Sequence, residues 1–500
     1  CQKMPLFKQD ATYYAQEVKA GRLTASQLVD WALENIQALN PSLHAVAHVQ
    51  AESARAQAQA HDQLWRQLSE SERQELPAFF GVPILLKDLG QLQAGEPSYA
   101  GAQLMADYVA NQTSYFVERI QALGFIVVGR TNVPEFGFKN ISDAQFTGAV
   151  SYPGDLTRNA GGSSGGAAAA LKAGMVPIVT ASDGGGSIRI PASFCGLIGL
   201  KPSRGRVPVG PDGYRGWQGA SVHFALTKSV RDTWTLLEGL QVEQWAAPYM
   251  VPQMSPGPLT LPQRPLRIAY LLDSPLTPQV RLDVANLLRQ TVERLAGMGH
   301  ELVAVDFPVD VIAAARDYTT MNAVETVAMM RGFEASLGRA LTPDDMEPMT
   351  WGIYQAGLPW DAADYSQLLG RWDQLAADME NFFQDYDLLL TPGTNGPAPL
   401  HGSFAASAEM AQRLLNQEGL AKEARTDLIM ERWKDSWAYT PWTFLQNLAG
   451  QPAIMLPLGK SSEGLPLGVQ LWAGKGQERV LCQLATAFEA AGVLETEIIE

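Results

Sequence analysis

An α/β fold built on one large mixed β-sheet, with helices on both of its faces, is the class this sequence predicts. Three observations carry that expectation. Short apolar runs at 82–86, 125–128 and 176–180 are bounded by Gly, Pro or Asp, the form taken by strands buried on both faces. Helical stretches at about 113–123 and 166–173 separate them, which is the alternation of a sheet with crossover helices. The 500 residues are 46% hydrophobic and 18% charged, the composition of a globular core, which excludes disordered and fibrous classes.

The elements follow in order. Helices are expected over 10–75. Thr24 and Gln27 form a capping box, with Leu23 as the outer half of a hydrophobic staple. Leu28, Val29, Ala32, Leu33, Ile36 and Leu39 then recur with a 3.6-residue period. A second helix, at about 50–75, is rich in Ala, Gln and Glu. The central core of the sheet is expected over 76–240. Residues 243–266, rich in Pro and Gln, read as a surface crossover. A strand at 267–271, an amphipathic helix at 279–299 and a strand beginning within 300–306 come next. Residues 310–385 are mainly helical and carry Tyr318, Trp351, Tyr354, Trp360, Tyr365 and Trp372; they read as a helical insertion. Late strands at 388–391, 453–458 and 469–472 belong to a C-terminal part of the core, 386–500. Repeats, low-complexity tracts and clean linkers are absent, so a single domain over 1–500 is expected.

Charge and cysteine usage narrow the function. There are 37 Lys+Arg against 52 Asp+Glu, a net charge of −15, a poor balance for binding nucleic acid or anionic lipid. Cys1, Cys195 and Cys482 lie far apart and the six histidines are scattered. Neither a disulfide framework nor a metal site is expected. No apolar run approaches the roughly 20 residues of a membrane span, and no signal peptide is visible, so a cytoplasmic location is expected. The first residue is Cys1; a processing or cloning junction, a natural start at Met4 and a lipidated N-terminal Cys are the readings it leaves open.

Three elements carry chemistry: the apolar run that ends at Lys87-Asp88, the loop 161–166 (GGSSGG), and 182–189 (SDGGGSIR). Singly, each has a plain structural reading: a salt-bridged lysine, a turn, a loop. The GGSSGG loop lacks the Lys-Ser/Thr ending of a phosphate-binding loop. Together they say more. A serine hydroxyl is a weak nucleophile and needs a base within hydrogen-bond reach. A lysine serves as that base only when burial lowers its pKa toward neutrality, and the run before Lys87 supplies burial. Gly184, Gly185 and Gly186 let backbone N–H groups converge before Ser187 as a nest for an oxyanion. Pro191 suits the first turn of a helix starting just after Ser187.

This combination resembles the amidase signature family of Ser-cisSer-Lys hydrolases. The likeness is continuous over 161–205 (GGSSGGAAAALKAGMVPIVTASDGGGSIRIPASFCGLIGLKPSRG), with the 24-residue spacing between Ser163 and Ser187, and extends to 81–88, 129–137 (GRTNVPEFG) and 450–459 (GQPAIMLPLG). It covers nearly the whole chain and implies the amidase signature fold. The resemblance implies that Ser187 is the nucleophile, that Ser163 follows a cis peptide bond and relays the proton, and that Lys87 is the buried base. It further implies an oxyanion hole from the N–H groups of Gly184, Gly185, Gly186 and Ser187. Asp183 and Arg189 would pair to hold that loop, with Ser164 as a supporting hydrogen-bonder. Neither metal nor organic cofactor is needed.

Blander readings apply elsewhere. Asn132 and Glu135 fix a turn, Cys195 is a packed thiol, and most tryptophans are core. Ile190 stands where many members acting on small or glutamine-like amides carry Gln, which points to a hydrophobic substrate. The stretch SIRIPASFCGLIGLKPSRGRVPVGP, with 338–351 and 387–392, most resembles the 6-aminohexanoate cyclic dimer hydrolase branch, whose substrates are nylon oligomers. The expected activity is hydrolysis of hydrophobic amides, linear or cyclic oligoamides or anilides, through an acyl-enzyme. A carbamate or ester hydrolase with the same triad is the alternative. Rival readings are an amidotransferase A-type subunit, which would carry Gln in place of Ile190, and a catalytically inert binding protein on the same fold. The expected partner is a small hydrophobic amide or carbamate, and the chain is expected to be a monomer or homodimer. Tyr214–Trp217 and the helical insertion are expected to shape the pocket, and 205–224 is the candidate for a mobile lid.

Overall fold

Helix Ala25–Leu43 shows local sequence setting an element. Gln27 N–H donates to Thr24 Oγ1 at 3.0 Å, and Thr24 N–H donates to Gln27 Oε1 at 2.9 Å, so two orphan donors of the first turn are satisfied. Leu28, Val29, Ala32, Leu33 and Ile36 are buried along its inner stripe. These features belong to a computed structural model that describes residues 5–500. Cys1 and Met4, on which the readings of the N-terminus turn, lie outside the described residues.

The architecture is mixed α/β. Eleven strands form one sheet in the order Val46–Val49, Ile126–Thr131, Pro83–Lys87, Val179–Asp183, Val222–Thr227, Ile198–Lys201, Ala453–Lys460, Pro466–Trp472, Leu388–Pro392, Arg267–Tyr270, Glu301–Ala304. Pro83–Lys87 runs parallel to Ile126–Thr131 and to Val179–Asp183. Arg267–Tyr270 runs parallel to Leu388–Pro392 and Glu301–Ala304. The remaining ladders are antiparallel. Ile84, Leu85 and Leu86 are solvent-free; at ~1.5–3 kcal/mol for each buried side chain, this central strand is among the costliest to displace.

The chain leaves Pro83–Lys87 for a neighbour on one side, Ile126–Thr131, and then returns to one on the other side, Val179–Asp183. Such a reversal opens a crevice at the carboxyl ends of parallel strands. Lys87 and Asp183 are the last residues of the two strands that flank it.

Several elements differ from the sequence expectations. Val46–Val49 is an edge strand inside the stretch expected to be helical; its four residues are too few for a periodic signal. The strand expected at 176–180 is Val179–Asp183, because Pro177 has no N–H for a ladder. Ile198–Lys201 and Val222–Thr227 are sheet strands that carried no separate expectation. The second corrects the lid candidate: residues 222–224 are sheet, and the rest of that stretch, 205–221, is loop with one short 3-10 turn at Gly216–Gly219. The stretch expected to be mainly helical contains the helices Val311–Leu337, Pro348–Gly357 and Ala362–Asp385.

Candidate active site

Lys87 closes its strand with no solvent exposure. Its Nζ lies 2.7 Å from Ser163 Oγ and donates to the Ser182 carbonyl at 3.0 Å. Burial pushes its pKa down to about 7, against a smaller opposing pull from the Asp183 carboxylate. A lysine in this state exchanges a proton near neutral pH.

Ser163 is buried, and the Gly162–Ser163 peptide bond is cis, the form the resemblance implies. Helix Gly165–Lys172 starts just after it and is wholly buried. A Cβ on Gly166 would stand 2.4 Å from the Asn132 nitrogen and 2.5 Å from the Ala45 oxygen, so glycine alone allows this helix to lie against that backbone. Ser164 Oγ donates to the Ser182 carbonyl at 3.2 Å, and Ser164 N–H donates to the Ser187 carbonyl at 3.3 Å. These bonds hold the two serine-bearing loops side by side.

Ser187 is half-buried and lines a cleft. The loop before it is built on Asp183. That carboxylate accepts from Arg189 Nε at 3.0 Å and Nη2 at 2.9 Å, from Gly186 N–H at 2.8 Å, from Ile188 N–H at 3.1 Å and from Asn447 Nδ2 at 2.9 Å. Burial alone would raise its pKa. The Arg189 charge and the hydrogen bonds from Arg189 and Asn447 outweigh burial and hold it well below the usual carboxylate range. Arg189 also donates to Gln446 and Gln470 at 2.8 Å, to the Thr443 carbonyl at 2.6 Å and to Asn447 Oδ1 at 2.8 Å. A fully buried guanidinium thereby fastens the loop to the segment 443–470.

This arrangement corrects the expectation for Gly186. Its N–H is committed to Asp183, so it is not free to bind an oxyanion. No described residue accepts from the N–H groups of Gly184, Gly185 or Ser187. Gly186 still has to be glycine: its φ is +126°, and a Cβ would stand 2.4 Å from Thr443 Oγ1.

The cleft is open to solvent and spans ≈ 750 Å³ with that open space included. Ile190, three residues past Ser187, lines it, as do Phe138 and Tyr318, the latter from helix Val311–Leu337. Tyr318 packs edge-on against Trp217 (6.1 Å between ring centroids) and Trp437 (5.6 Å), and Trp217 stacks on Phe138 at 6.4 Å. Of the stretches expected to shape the pocket, 310–385 brings Tyr318 to this cleft, whereas Trp217 packs behind Tyr318 and Phe138. Tyr214 lies with Trp217 in an adjoining cavity lined also by Phe136 and Glu325.

Sequence reasoning missed the fourth wall. Phe404, Arg432, Trp433, Ser436, Trp437 and Thr440 enter the cleft from a segment with no motif. The density of large aromatics over 433–444 was the available signal. Asn132 keeps its turn role, its Nδ2 donating to the carbonyls of His44, Thr147 and Gly148. Glu135 Oε1 accepts the Glu347 N–H at 2.9 Å and ties that turn to the insertion. Cys195 is buried, and burial pushes its thiol up to about 12. The described residues contain no group of three or more potential metal ligands and no helix long and apolar enough to cross a membrane.

Comparison with known proteins places the chain in a family. The amidase family profile matches residues 27–482. The chain is 36% identical over 475 residues to a lipoamidase of Enterococcus faecalis, covering 94% of this chain and 62% of that protein's length. It is 32% identical over 498 residues to the 6-aminohexanoate-cyclic-dimer hydrolase of Paenarthrobacter ureafaciens, covering 97% and 94% of the two chains. A solved structure of 6-aminohexanoate cyclic dimer hydrolase complexed with substrate superposes with a TM-score of 0.85 at 29% identity, covering 98% of each chain. The chain therefore belongs to the amidase signature family and is a C–N amide hydrolase.

Proposed function

We propose that this member of the amidase family cleaves hydrophobic amides through a Ser187 acyl-enzyme, with Ser163 as proton relay and Lys87 as base. The observation that carries the proposal is the 2.7 Å bond between Lys87 Nζ and Ser163 Oγ, made by a lysine that burial holds near neutrality. Ser187 Oγ attacks the amide carbonyl. Its proton passes to Ser163 Oγ as the Ser163 proton passes to Lys87. The resulting oxyanion lies against the N–H groups of Gly184, Gly185 and Ser187, placed where charge develops. The C–N bond then breaks, the amine nitrogen taking the proton back along the same path. Water repeats the sequence on the acyl ester and frees the acid.

The aromatic cleft supports a hydrophobic acyl or amine group. So does Ile190, which offers no hydrogen bond to a small polar amide. The lipoamidase and the cyclic dimer hydrolase both bear names for amide substrates with long methylene chains, in keeping with this preference.

The test is amine release from a hydrophobic anilide and its matched carbamate, read by chromatography and mass spectrometry, with Ser187→Ala as blank. Turnover of the anilide by the wild type and none by the variant is expected. Faster turnover of the carbamate would make the chain a carbamate hydrolase with the same triad. Turnover surviving in Ser187→Ala would remove the proposed nucleophile.

A further inference from the structure

Three charged side chains line the cleft at Ser187: Lys139, Asp143 and Arg432. Two of them answer each other. Lys139 Nζ lies 3.1 Å from Asp143 Oδ1 and 3.7 Å from Glu347 Oε1. Arg432, the last residue of helix Lys422–Arg432, feels the charges of Asp143 and Asp435 but forms an ion pair with neither. Its Nε is buried without a hydrogen-bond partner. Among the described residues nothing accepts from its other nitrogens either.

The other interior arginines behave differently. Arg130 is held by Asp88 and by the carbonyls of Gln91, Lys87 and Gly90. Arg189 is saturated, as described above. Arg206 is paired with Glu478 at 2.6 Å. A cation at a helix C-terminus is favoured by the helix dipole, but the dipole supplies no acceptor for the guanidinium N–H groups. It does not account for a half-buried guanidinium at the wall of an active-site cleft. Removing such a group from water without a partner is costly, whereas a planar guanidinium meeting a carboxylate forms two parallel charge-assisted bonds. Asp143, the carboxylate that lines the cleft, already has both oxygens within 3.3 Å of Lys139 Nζ.

The cleft that Ser187 and this cation both line is also walled by Phe138, Tyr318, Trp433 and Trp437. A ligand that satisfies both ends has an apolar arm and an anionic terminus. We propose that Arg432 recognises a terminal carboxylate, so that the substrates are amides whose hydrophobic arm ends in a carboxylate removed from the scissile carbonyl. This rests on the reading of Ser187 as the nucleophile of an amide hydrolase.

The experiment compares adipic acid mono-4-nitroanilide with the 4-nitroanilide of 6-oxoheptanoic acid, which replaces the carboxylate by a methyl ketone of nearly the same shape. The ratio of their kcat/KM values is measured in the wild type, Arg432→Gln and Arg432→Lys. A charge-assisted pair supports a wild-type preference for the acid of about 10- to 100-fold. The preference falls to about one in Arg432→Gln and is partly kept in Arg432→Lys. A wild-type ratio near one, or a ratio unchanged in Arg432→Gln, overturns the assignment while leaving the amidase reading intact. Should neither anilide be cleaved, the amidase reading is what fails for this substrate class. The inference is then decided by thermal shift of Ser187→Ala with each compound. Stabilisation by the acid alone, lost in the Arg432→Gln double variant, upholds it, and equal or absent stabilisation overturns it.

Discussion

Replacing Lys87 by Met tests the central electrostatic claim without any substrate. Burial moves this lysine from 10.5 to about 7. At about 1.4 kcal/mol for each pH unit, the fold disfavours the protonated side chain by about 5 kcal/mol. Between pH 10.5 and about 7 the unfolded chain holds a proton on Lys87 that the folded chain does not. The wild type therefore loses about 1.4 kcal/mol of stability per pH unit on descent through that window, and nothing further below it. A methionine of similar length carries no such term. It does forfeit the bonds to Ser163 and the Ser182 carbonyl, at about 1 kcal/mol each, but that loss does not vary with pH. The slope thus isolates the lysine. His223, which burial holds down to about 4, and Asp183, which the Arg189 charge and hydrogen bonds hold well below the usual carboxylate range, are outside the window, and Glu347 is present in both proteins. Urea unfolding at pH 7, 8 and 9 is the assay. The stability of Lys87→Met relative to wild type should increase by about 1.3 kcal/mol from pH 9 to pH 8 and by about 1 kcal/mol from pH 8 to pH 7, where the folded lysine starts to take up its proton. A difference that stays flat across this range would refute a depressed Lys87 and remove the physical basis for its role as base.

The same ionisation should appear in turnover: kcat/KM rises from the acid side with an apparent pKa near 7, because the base must be neutral. Glu347, pushed up to about 7 by burial and then by Glu135, is a competing titrant that reaches the cleft through Lys139. The acid limb should survive in Glu347→Gln, and its disappearance there would reassign the limb. Arg189→Lys should destabilise the fold by about 3–5 kcal/mol, since an ammonium cannot replace the guanidinium fork in a buried pair. It should also lower kcat, because Asp183 orders the Gly186 and Ile188 amides; unfolding and turnover near wild type would show that the loop holds without the fork.

How much could be read from the chain varied with the range of the interaction. The helix at Ala25–Leu43 was legible because its signals lie within three or four residues of one another. The strand ending at Lys87 was legible because a parallel, doubly buried strand is continuously apolar. Val46–Val49 was not, since its pairing with Ile126–Thr131 is a contact across some 80 residues of chain. Ile198–Lys201 was hidden within an apolar run that also packs Cys195.

The sequence by itself determined the chemistry available. Lys87, Ser163, Ser187 and the glycines before Ser187 are a set of residue types whose pattern is local and chemically restrictive. Tertiary structure decided the rest. It set the reversal of strand order that places Lys87 beside Asp183. It committed the Gly186 N–H to a carboxylate three residues away, which identical glycines in the sequence do not distinguish. It also carried Arg432 and Trp437, more than 240 residues beyond Ser187, to the wall of the same cleft. The physical reason is common to all three. Side-chain chemistry is a property of residues, whereas the partner that tunes a charge or captures an amide is chosen by packing between segments distant in the chain.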